Sequence, residues 1–164
     1  MIYPYRLLID GVVTSLILTV FVAGTVFWNY RWWLSDFPPD LQDVLQPQTD
    51  REKRKALLIA IVFLAFLLLG MAVSFSLLKQ QIPTEINFLS AWLHAFLFFQ
   101  VFNLWDLIVI DWIGFLLVDP SNPPIPGTEN SPGYRDYFFH FQGFLKGIII
   151  GIVISLLAAI VATL

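Results

Sequence analysis

Asp106, Asp111, Asp136 and His140 are the residues of this chain whose types and spacing best suit chemistry. Carboxylates beside an imidazole can pass a proton between acid and base, and they can also ligate a divalent cation. Asp106 and Asp111 interrupt the apolar run Phe88–Val118. Asp136 and His140 stand four apart at the entry to the next apolar run, on one face if that entry is helical. At 100° per residue, Gln100, Asn103 and Asp111 fall within about 80° of one another, with Asp106 about 60° beyond Asn103. They form one polar face. Glu129, Arg135, Tyr137 and Lys146 return to the same end of the chain's path and complete a candidate binding set. A competing reading is structural. A carboxylate in the bilayer is costly unless paired, and Arg135, His140 and Lys146 are the nearest cations in sequence to neutralise Asp106 and Asp111. No spacing matches a metal motif such as H-E-x-x-H, so no metal ligands are assigned, and the identity of any cofactor is unknown from the sequence.

Asp10 and His94 make a second candidate. If the apolar runs holding them cross a membrane in parallel, both fall within about two helical turns of the same face. An Asp–His pair there is either a proton relay or a structural pair. His94 lies about 180° around the helix from Asn103, so the two sites would use different faces.

The elements that must hold these residues are membrane spans. Hydrophobic residues make up 58% of the 164 and charged residues 13%, against about 45–50% and 25% in soluble domains. A spanning helix needs roughly 20 apolar residues, and four such runs are present: about 7–28, 56–78, 88–111 and 138–164. The expected fold is all-α, a polytopic four-helix bundle in a single transmembrane domain. The first run is longer than a signal-peptide core and carries Asp10, so it is expected to remain as a span. The third is anomalous. As one helix Phe88–Val118 would be about 46 Å long, against about 30 Å of hydrocarbon. It is expected to end near Asp111, with Trp112–Val118 lying along the interface. Polar linkers join the first span to the second and the third to the fourth, and a short turn around Pro83 joins the second to the third.

Basic residues set an orientation. Arg31, Arg51, Lys53, Arg54, Lys55, Arg135 and Lys146 fall at the linkers; Arg6 and Lys79 fall at the opposite ends. Seven against two places the linkers in the cytoplasm and both termini outside, in a plasma or inner membrane. Tyr3, Tyr5, Trp28, Trp32 and Trp33 suit interfacial anchors. There are no cysteines, which excludes disulfides, thiolate metal sites and cysteine nucleophiles. The net charge of −3 and the absence of a basic stripe argue against nucleic acid.

Small residues recur every fourth position at Gly143, Gly147, Gly151, Ser155 and Ala159, and at Gly11, Ser15, Thr19 and Ala23. Such stripes let helix backbones approach closely in lipid. They are expected to pack the first and fourth spans together, with homo-oligomerisation as the alternative use. Three functions remain. The leading one is an accessory, scaffold or lipid- or ligand-binding membrane subunit, partnered by membrane lipid, a second copy or another subunit. The second is an interfacial enzyme acting on a lipid-like substrate through the Asp/His groups. The third is an oligomeric transporter or proton-coupled unit, since four spans without an inverted repeat make a poor monomeric carrier.

Overall fold

A computed structural model describes residues 4–81 and 86–164; Tyr3 and Pro83 lie outside the described residues. The chain is an all-α bundle. Its order is α1 (Pro4–Asn29), a 3₁₀ segment (Tyr30–Asp36), α2 (Pro39–Val44), α3 (Asp50–Gln81), α4 (Phe88–Trp105), a π-helical segment (Asp106–Ile113), α5 (Gly114–Leu116), a 3₁₀ turn (Pro132–Arg135) and α6 (Tyr137–Thr163). Four helical rods are long and apolar enough to cross a membrane: α1, α3, the continuous rod Phe88–Leu116, and α6.

Local chemistry explains where these rods begin. Thr49 and Glu52 form a reciprocal capping box ahead of α3: the Thr49 backbone N–H donates to Glu52 Oε2 at 2.7 Å, and the Glu52 N–H donates to Thr49 Oγ1 at 3.3 Å. The helix therefore includes the charged run Asp50–Lys55 and starts before the apolar stretch does. Asn87 caps α4 by accepting from the Ser90 N–H at 2.9 Å, and Asp136 caps α6 by accepting from the Phe139 N–H at 2.9 Å. Within α1 the hydroxyls of Thr14, Ser15 and Thr19 donate to the carbonyls four residues back, at 2.8–2.9 Å. A hydroxyl satisfied this way can sit in lipid-facing or packed surface without an orphan donor.

The third rod does not stop at Asp111. It runs on as one helix to Leu116, 29 residues in all. Its length is accommodated by a stretch of wider turns in which the Gly114 N–H reaches Val109 O, five residues back. The physical reason is sequence continuity: nothing between Asp106 and Leu116 is Pro, and every residue from Leu107 to Ile110 is apolar. An i→i+5 repeat also turns Asp111 back towards the face of Asp106, which ordinary helical spacing would separate by about 140°.

The central element is α4. It packs on α6 along its length and on α1, and α1 packs in turn on α3. This corrects the expected pairing of the first and fourth spans, because both small-residue stripes are used against α4. A Cβ on Gly11 would come within 2.7 Å of Val101 Cγ1; one on Gly151 would meet Gln100 Nε2 at 2.6 Å and Phe99 Cδ1 at 2.7 Å. At Gly147 it would collide with the Asn103 amide. The α1–α3 contact is built on another glycine: a Cβ on Gly70 would lie 2.5 Å from Thr14 Oγ1. Leu18, Leu67, Met71, Phe75, Phe98 and Phe102 fill the main core. Val20, Leu69, Ile149 and Val161 point outward and remain exposed, the surface that lipid tails would cover.

The two linkers fold on each other. Leu34, Phe37, Leu41, Ile125 and Tyr134 form a second apolar cluster, with Phe115 packed against it. Asp40 on α2 accepts from the Gly133 N–H at 2.6 Å and from the Ser131 hydroxyl. Gly133 permits this approach, since a Cβ there would overlap the Asp40 carboxylate. Arg31 ties the first linker together, donating to Glu52 Oε1 at 2.5 Å and to the carbonyls of Gln46 and Pro47 at 3.1 Å. The result is a small cap over one end of the bundle.

Candidate functional site

Beneath the cap, the structure brings Asp111 and His140 together. His140 Nδ1 lies 3.2 Å from Asp111 Oδ1. The imidazole is buried, flanked by the rings of Phe115 and Phe139 at centroid distances of 4.6 and 5.3 Å. Its other nitrogen, Nε2, has no hydrogen-bond partner among the described residues. A carboxylate holding one face of an imidazole and leaving the other free is the geometry that orients a general base.

The other candidates at this end have separate positions. Asp136 is spent as the α6 N-cap. Tyr137 packs edge-on against Trp112, whose indole N–H donates to the Tyr137 carbonyl at 3.4 Å. Arg135 does not reach the carboxylates. Its guanidinium donates to the carbonyls of Phe115 at 2.6 Å and Val118 at 3.2 Å, satisfying orphan acceptors at the end of the third rod. Lys146 is exposed and forms no ion pair among the described residues. Glu129 accepts from the Gly127 N–H within its own loop. Gln100 and Asn103 form a separate group with α6: Asn103 Nδ2 donates to Gln100 Oε1 and to the Phe144 carbonyl, both at 3.1 Å. Asp106 receives no hydrogen bond from a described residue, and its charged neighbours are two further acids, Asp111 and Asp36. Asp36 was not a sequence candidate. Its position in the 3₁₀ segment after α1 gave no helical register from which to place it.

Neighbouring Tyr134 belongs to the cap. Its hydroxyl lies 2.6 Å from Thr128 Oγ1, which in turn donates to the Ile125 carbonyl at 2.7 Å. The Tyr134 hydroxyl must therefore be the donor to Thr128. Burial pushes its pKa above the usual phenol value.

At the opposite end, Asp10 and His94 do not touch directly. Ser74 of α3 bridges them. The Ser74 hydroxyl donates to Asp10 Oδ2 at 2.9 Å and lies 3.0 Å from His94 Nε2. A serine has one hydroxyl proton, so with that proton on Asp10 the Nε2–H of His94 donates to Ser74 Oγ. Arg6 closes the group, with Nε 3.0 Å from Asp10 Oδ1. Three helices thus meet at one chain of polar groups, Arg6–Asp10–Ser74–His94, of which Ser74 and His94 are fully buried.

Asp10, Ser74, His94, Asp111 and His140 line neither of two surface clefts. One is walled by Pro4, Tyr5, Arg6, Ile9 and Gln81, so the first polar group reaches it only through Arg6; the other lies between the 3₁₀ segment and the start of α3. Among the described residues, no three His, Asp or Glu side chains converge as metal ligands. No protein-family model matches the chain, and no curated protein or solved structure is significantly similar to it.

Proposed function

We propose that this protein is a non-catalytic, multi-pass membrane subunit that works by assembling with another membrane component through its folded linker cap. The observation that carries this reading is the pairing of the polar groups with one another. Asp10–Ser74–His94 and Asp111–His140 join across helix boundaries, and none of these five side chains lines either of the two clefts described above. The buried part of each small-residue stripe, Gly11 and Ser15 on α1 and Gly151, Ser155 and Ala159 on α6, is used within the chain, which leaves less close-packing surface on the bundle for a second copy. The cap, by contrast, is an ordered surface built from both linkers. The basic asymmetry favours a cytoplasmic cap with the termini outside.

Gentle extraction from native membranes tests the reading. The expected result is a complex larger than the protein alone, containing a different chain, and dissociated by Asp40→Ala, which releases the cap while leaving the bundle intact. A chain that runs alone in the same extract, or purified protein that turns over lipid substrates, would overturn it.

A further inference from the structure

A cation stands on the lipid-facing side of α6. Lys146 lies four residues before the middle of that 27-residue helix, which is about 6 Å along its axis. The neighbouring rod gives a similar height. Gly147 faces the Asn103 amide, and Asn103 is next to the central residue of the 29-residue rod Phe88–Leu116. A hydrocarbon layer of about 30 Å centred on the bundle puts the Lys146 backbone about 9 Å inside its edge. The side chain leans toward the helix N-terminus and carries its ammonium about 6 Å that way, short of the headgroups. Lys146 is exposed and has no ion pair among the described residues. A charge at this depth is costly without a partner.

The surface around it is shaped for a helix. Gln142, Lys146, Ile149, Val153, Leu156 and Ile160 are all exposed. Their spacing alternates four and three, the repeat by which one helix presents a straight seam to another. The seam lies on the side of α6 opposite Gly147, Gly151, Ser155 and Ala159, so it stays open when α6 packs on α4. A second copy of the chain is a poor occupant, because its spanning carboxylates are turned inward. Asp10 is held by Arg6 and Ser74, Asp111 by His140, and Asp106 lies among the other acids.

We propose that this seam takes a transmembrane helix of a different protein, one that carries a carboxylate at the height of Lys146. The apolar positions supply the packing, and the carboxylate supplies the charge that Lys146 lacks. The inference goes beyond the cap reading and does not rest on it.

The test uses the full-length protein in phosphatidylcholine vesicles. It is titrated with dansyl-labelled leucine–alanine transmembrane peptides whose central residue is Glu, Gln or Leu, and energy transfer from the protein's tryptophans reads binding. The Glu peptide is expected to bind at least about tenfold more tightly than the other two. Lys146→Met is expected to remove that preference. Lys146→Glu is expected to move it to a peptide with a central Lys, a gain that misfolding does not produce. Lys55→Met, an equal charge change at the exposed start of α3, is expected to leave it in place. Asp40→Ala is expected to leave it too, since the peptides have no part that meets the cap; failure of the peptides to bind would leave the cap reading standing. Equal binding of the three peptides would mean that the ammonium rests on lipid phosphate, and would overturn the proposal. So would a Glu preference that survives Lys146→Met, or a homodimer that Lys146→Met dissociates, since a second copy would then fill the seam.

Discussion

Replacing Gly151 by alanine isolates the close contact between α4 and α6. The new methyl would stand 2.6 Å from Gln100 Nε2 and 2.7 Å from Phe99 Cδ1. Gln100 can swing its amide away; the Phe99 ring is buried in the core and has less room. Gly143 stands eight residues earlier on the same stripe, and its added methyl would meet nothing within 4 Å. Alanine also raises helix propensity by up to about 1 kcal/mol over glycine, and that gain is common to both positions. The difference between the two variants is therefore the clash itself, about 1–3 kcal/mol for overpacking. Gly147→Ala should fall between them. Its obstacle is the Asn103 amide, which moves only by losing its bond to the Phe144 carbonyl, a loss of about 0.6 kcal/mol for a typical membrane hydrogen bond. The expected order of stability is Gly143→Ala, then Gly147→Ala, then Gly151→Ala, read by SDS titration of micellar protein with circular dichroism. If Gly143→Ala and Gly151→Ala unfold within about 0.5 kcal/mol of each other, the stripe does not pack on α4.

Ser74→Ala should cost about 1–3 kcal/mol, because it leaves the buried His94 Nε2–H with no partner and takes one of its two donors from Asp10 Oδ2, which keeps only Arg6. Ser74→Thr, which keeps the hydroxyl, should recover part of that loss in the same unfolding assay. The cap should loosen in alkali. The raised pKa of Tyr134 means the folded cap holds the neutral phenol, so its contribution is complete below the unfolded phenol value of about 10 and falls as pH rises through the folded one. Limited proteolysis of the second linker should therefore accelerate above about pH 10 in the unaltered protein, and Tyr134→Phe should remove that step.

The spans were legible from the length of the apolar runs, and the linkers from their charge. The convergence of Asp111 with His140 was legible too, because the end of the third rod and the start of α6 lie on one side of the bundle. The partner of each stripe was not legible. A row of small residues says that a backbone comes close, but not whose, and here both rows face α4 because Val101, Gln100 and Asn103 stand opposite them. The bridge through Ser74 was hidden for a similar reason: one serine in an apolar span carries no signal until the register of three helices is known. The roles of Arg135 and Asp136 depend on helix ends, where a charged side chain has backbone groups to satisfy as well as other charges. The Thr49–Glu52 capping box was written in the sequence as T-x-x-E and marks the true start of α3. The π-helical turns and the folding of the linkers into a cap depend on tertiary contacts.

A double-mutant cycle on Asp111 and His140 tests most directly whether the buried ionisable groups hold the fold together. Asp111→Asn, His140→Gln and the double variant would be compared by equilibrium unfolding in micelles. A structural pair predicts that each single change destabilises, and that the double costs less than their sum by about 0.5–3 kcal/mol. Groups kept for chemistry behave differently, since removing them commonly leaves stability unchanged or raises it. Single variants as stable as the unaltered protein, with no coupling between them, would contradict the structural role and return Asp111 and His140 to the status of an active pair.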